Sequence, residues 1–107
     1  MYYRYILQKN HETSGLFHPL DNWSVPKEGG LYKIVPAYFS SLNYHKDFSN
    51  NSESWFTEEG NTRYHTGITT LTAFYTNHGI RVQCVKKQNL VNIIRQESFQ
   101  VWIENNT

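Results

Sequence analysis

An apolar stripe followed by three alternating runs limits this chain more than anything else in it. Tyr64, Ile68, Leu71 and Tyr75 recur at i, i+4, i+7 and i+11, and Phe74 widens the stripe. This predicts an amphipathic helix ending at "NHG", residues 77–79, with Gly79 at C′. Its interior is rich in threonine and holds Gly67, all weak helix formers, so tertiary packing has to hold it. "IRVQCVK" (80–86) then alternates Ile80, Val82 and Cys84 against Arg81, Gln83 and Val85. "LVNIIRQ" (90–96) and "FQVWIE" (99–104) follow with turn residues between, and the three runs predict an antiparallel meander.

Upstream, "YYRYILQ" (2–8) is rich in β-formers and predicts a first strand; its Arg4 face is not plainly polar, which implies cover on both faces. Turn residues dominate from Lys9 to Gly30, a long loop that Phe17, Leu20 and Trp23 would anchor. Pro36 suits a first helical turn, and Phe39 and Leu42 lie three apart, which predicts a short helix over 36–42. A polar bridge with Phe48 as its anchor comes next. The fold class is therefore α+β. One domain over residues 1–107 holds an antiparallel sheet, made of the N-terminal strand and the C-terminal three-stranded meander, with one main helix packed on it and a short second helix. Only 38% of the residues are apolar while 16% are Phe, Tyr or Trp, so large rings must supply much of the core.

"ESWFTEEGNTRYH" (53–65) reads as a helix entrance. Trp55 and Phe56 would anchor a turn, Thr57 or Thr62 would cap the helix, and Glu58 and Glu59 would favour its positive end. Adjacent glutamates point in different directions on a helix and make a poor catalytic pair. The five histidines form no close pair of the metal-binding kind, "EGG" (28–30) lacks phosphate-loop spacing, and no cofactor is indicated. Cys84 is the single cysteine, so no internal disulfide can form, which fits a reducing cytosol. Its place on the apolar side of a strand predicts a buried, inert thiol. With no signal-like or membrane-spanning run, the expected setting is soluble and cytoplasmic, without a membrane partner.

The net charge of +1 is weak for a nucleic-acid binder, although residues 1–61 carry −2 and residues 62–107 carry +3. A small aromatic-rich domain without a catalytic signature is better suited to binding than to catalysis, since Tyr, Trp and Arg dominate interface energetics. The expected function is a small regulator or inhibitor that docks on a larger protein, of a kind that suits a bacteriophage or mobile-element accessory factor. Candidate contacts are Tyr2, Arg4, Trp23, Trp55, Arg81, Lys86, Lys87, Arg95 and Trp102. Two alternatives involve macromolecular partners: nucleic-acid binding on a basic, aromatic sheet face, and a homodimer formed by edge pairing of the N-terminal strand. A third is enzymatic. Arg4, the tyrosines around it and Glu97 before the last strand resemble the arginine and late glutamate that ADP-ribosyltransferase-like domains use on NAD. The resemblance implies that Glu97 hydrogen-bonds the nicotinamide ribose while Arg4 holds a phosphate. The strand-borne Ser/Thr motif and the Glu/Gln-x-Glu turn of that family are not evident.

Overall fold

The first strand, β1 (Tyr2–Lys9), is flanked on both edges in the computed structural model, which describes residues 1–42 and 52–104. One edge pairs with β4 (Arg81–Lys87) from Tyr2 opposite Lys87 to Gln8 opposite Arg81. The other edge is shared. β2 (Glu12–Gly15) takes Ile6 to Lys9, and β3 (Ser52–Phe56) meets the strand only at Tyr3, opposite Phe56. From β3 the sheet continues through β6 (Gln100–Glu104) to β5 (Ile93–Gln96), and every pairing is antiparallel. The domain is α+β, as the sequence predicts.

The strand order departs from the predicted meander. The β5–β6 hairpin forms, but β4 leaves it and pairs with β1 instead. Alternation identifies strands without naming their neighbours, because pairing is a non-local choice. The predicted long loop also holds more structure than expected: a β1–β2 hairpin with Asn10 and His11 at positive φ, a 3₁₀ turn at Asp21–Trp23, and a π turn at Lys27–Leu31. Its anchors behave as expected, Trp23 being buried and Phe17 and Leu20 packing against the core.

The short helix, α1 (Tyr32–Phe39), starts four residues before the predicted position, so Pro36 lies inside it rather than in its first turn. Residues 27–31 form a turn that leads into it, with Glu28 and Gly29 outside helical φ/ψ and the Leu31 N–H donating to the Pro26 carbonyl. The main helix is two helices, α2 (Glu58–Arg63) and α3 (His65–Asn77), broken at Tyr64. Thr57 caps α2 by accepting from the Gly60 N–H at 3.0 Å, with Glu58 and Glu59 in the first turn. At the other end, the Ile80 N–H donates to the Tyr75 carbonyl and the Gly79 N–H to that of Thr76, a Schellman closure that Gly79 at φ 74° permits. "SESWF" is the strand β3 rather than a turn anchored by Trp55 and Phe56, and the Phe48 anchor lies outside the described residues.

One face of the sheet packs on the helices. Leu7 and Phe56 meet Phe39, Tyr64, Ile68, Leu71 and Tyr75 there, all buried. The predicted stripe is the buried one, and rings dominate the packing: Phe39 stacks on Tyr64 at 5.7 Å, while Phe17 meets Phe39 edge-on at 4.9 Å and Phe99 meets Tyr64 edge-on at 5.6 Å. The Tyr75 hydroxyl donates to the Leu16 carbonyl at 2.6 Å, tying α3 to the segment after β2. The opposite face carries a smaller cluster of Trp55, Val101 and Ile103, flanked by Tyr2, Val85 and Leu90. Both faces are therefore covered, as the mixed character of the Arg4 face predicts.

α2 approaches the β5–β6 connection so closely that a Cβ at Gly60 would collide with the Phe99 carbonyl and stand 3.0 Å from the Phe99 Cα. Backbone cannot yield as a flexible side chain can. Gly60→Ala is therefore expected to destabilise the domain by well over about 2 kcal/mol in urea unfolding, against about 1 kcal/mol for the lost cap in Thr57→Ala. Equal costs would show that α2 withdraws from Phe99 freely.

Candidate functional site

Burial separates the candidate contacts first. Trp23, Trp55 and Trp102 are at most 4% exposed and offer no surface to a partner. Trp102 is covered because β6 is an interior strand, paired with β3 on one side and β5 on the other. Trp55 lies under Lys87, whose Nζ stands 5.4 Å from the ring centroid, and its indole N–H donates to Glu53 at 3.4 Å. Large rings are the most valuable residues to bury in a small domain, so an indole is weak evidence of a binding face.

The basic candidates divide between opposite edges of the sheet. Arg81, Lys86 and Lys87 are exposed on β4, whereas Arg95 is exposed on β5 and forms an ion pair with Glu97 at 2.9 Å. The order β4-β1-β3-β6-β5 puts four strand steps, about 19 Å, between the two groups. These basic side chains therefore do not stand side by side on the sheet. Tyr2 is half-buried opposite Lys87, and the Tyr3 ring lies 5.9 Å from the Lys86 Nζ. β1 is paired along both edges, so the N-terminal strand cannot dimerise by edge pairing; the free edge on its β4 side belongs to β4.

Cys84 is exposed, which corrects the expectation of a buried thiol. The alternation assigned its face correctly, since it lies opposite Tyr5. On an edge strand, however, that face extends beyond the cover of the helices.

Arg4 lies at the fork where β2 and β3 part along the β1 edge, in a cleft of about 220 Å³. Its Nη1 donates to the Ser54 carbonyl at 3.0 Å, and its Nε stands 3.6 Å from Glu53 Oε2. Burial lowers the guanidinium pKa, opposed by the attraction of Glu53; the desolvation cost is the larger effect. Ser14 and His18 reach the same cleft from the hairpin side. Glu97 does not line it, so the carboxylate facing Arg4 is Glu53 and not the glutamate of the ADP-ribosyltransferase resemblance. Glu53, Ser14, Ser54 and His18 carry no local signal that groups them with Arg4, because the five come from three separate segments. Among the described residues no cluster of three His, Cys, Asp or Glu side chains could hold a metal, and no helix is long and apolar enough to cross a membrane.

No protein-family model, curated protein or solved structure matches the chain.

Two hydroxyls near this core tie stability to pH. Burial, reinforced by Cys84 and Tyr3, pushes Tyr5 above the ordinary tyrosine value of 10.0, and burial alone does the same to Tyr75. The folded chain holds these protons more tightly, so the stabilisation is complete below about pH 10 and is lost as pH rises from there toward the folded values. Urea unfolding between about pH 8 and 11 is expected to show that decline. Tyr75→Phe should be less stable at neutral pH, since it loses the bond to Leu16, but should fall less steeply in alkali; an unchanged slope would remove Tyr75 as a source.

Proposed function

We propose that the protein is a small regulator or inhibitor that docks on a larger protein by adding an acidic extended segment of that partner to the β4 edge. The observation that carries this reading is the charge on that edge. Arg81, Lys86 and Lys87 are exposed on a seven-residue strand, and among the described residues that strand pairs only with β1 and none of the three meets a carboxylate. An open strand edge offers main-chain donors and acceptors for strand addition, and the flanking side chains select the partner. Three cations disfavour pairing with a second copy of the same edge and favour an acidic strand, so one feature supplies both exclusion and specificity.

A nucleic acid could use the same cations, but the aromatic support for stacking is thin. Trp55 and Trp102 are buried, and Arg95 is on the far edge. Affinity capture from lysate tests the choice, with the wild type compared against Lys86→Glu/Lys87→Glu, with and without nuclease and at two salt concentrations. The expected result is one protein recovered stoichiometrically by the wild type, resistant to nuclease and lost on charge reversal, with the thermal midpoint of the variant unchanged. Recovery that survives charge reversal would remove the β4 edge, and recovery abolished by nuclease would replace the protein partner with a nucleic acid.

A further inference from the structure

The cleft at the fork of the sheet has a composition the docking reading does not use. Its lining mixes polar side chains, Arg4, Glu53, Ser14, Ser54 and His18, with the rings of Tyr5 and Phe17, while Phe56 and Trp102 beside them are at most 5% exposed. Its volume of about 220 Å³ equals the liquid volume of about seven waters, enough for a compact molecule and too small for a dinucleotide. Arg4 is the least satisfied charge in it. Of the five donors on a guanidinium, one is used in a 3.0 Å bond to the Ser54 carbonyl. Glu53 stands at 3.6 Å from Nε, and Nη2 has no partner among the described residues. With a side chain only 19% exposed, the group has lost most of its water, and desolvation outweighs the attraction of Glu53.

We propose that this cleft binds a compact molecule bearing a carboxylate or phosphate group, with the oxyanion on Arg4 and the body of the molecule against the rings of Tyr5 and Phe17. Guanidinium recognises either oxyanion through paired N–H donors, and an aromatic wall favours a flat ligand over a hydrated free ion. Glu53 acts as the resident counter-ion. It limits affinity for the incoming anion, so its neutralisation strengthens binding. The Trp55 indole that donates to Glu53 can donate to a glutamine oxygen in the same place. The proposal is independent of the β4 edge, which lies on the far side of β1 from the fork.

The test is an NMR titration of the full ¹⁵N-labelled chain with inorganic phosphate and, separately, with benzoate. Saturable shifts are expected at the Gly15, Phe17 and Ser54 amides. Those for benzoate alone would identify a carboxylate site with a ring pocket, and those for phosphate alone a phosphate site. Arg4→Gln should abolish the shifts, and Glu53→Gln should tighten binding by about tenfold as the competing charge is removed. If Arg4→Gln does not fold, Glu53→Gln carries the test alone. Unchanged affinity in Glu53→Gln, shifts confined to Lys86 and Lys87, or no saturable shift with either anion would overturn the proposal.

Discussion

Two strands compete for one edge of β1, and much of the rest of the molecule follows from how they share it. The pairing of Tyr3 with Phe56, continued antiparallel, would bring Tyr5 opposite Ser54. The ladder stops before that point because β2 already holds Ile6 to Lys9. The carbonyl of Ser54 is left facing the gap, and the donor that reaches it is the Arg4 side chain. A guanidinium thus takes the place of a backbone N–H in holding the fork closed at its inner end. A buried carbonyl without a donor costs about 1–3 kcal/mol, so the position demands a long side chain with several donors. The cleft and its charge are both consequences of the unfinished ladder.

The helical half of this architecture is legible in the sequence because its determinants are local. The 64–68–71–75 stripe, the Thr57 cap and the Gly79 closure each depend on neighbours within a few positions, and all three appear where the pattern places them. Gly67, which counts against a helix by propensity, is explained by packing. A Cβ there would stand 2.7 Å from the Phe39 ring, so glycine lets α1 lie close on α3. The same local logic identifies β1, β4, β5 and β6 as strands.

What the sequence leaves hidden is non-local. The partner of β4 lies about eighty positions away in β1, and nothing in "IRVQCVK" distinguishes that pairing from a meander with the next run. β3 is obscured for a different reason: "SESWF" runs directly into the capping signal of α2, so the helix-entrance pattern is true of its last residues and masks the strand before them. The tryptophans mislead because burial depends on which strands are interior. Trp102 would be exposed on an edge and is sealed on β6, whereas Cys84 would be sealed on an interior strand and is exposed on β4.

Edge and interior also explain why the two charged regions behave differently. On β4 the cations are exposed, the Lys86 and Lys87 ammonium groups lying near the Tyr3 and Trp55 rings, so a partner must compete with water and gains mainly through steering and register. At the fork the cation has already lost most of its water during folding, and an oxyanion arriving there meets a group whose desolvation has been met by the fold. A single small ligand can therefore gain more from Arg4 than from any one lysine on β4, while the three β4 cations together suit a long, weakly specified strand. The structural role of Arg4 supports this rather than opposing it, because the bond to Ser54 fixes the guanidinium and reduces the entropy a ligand would lose in ordering it.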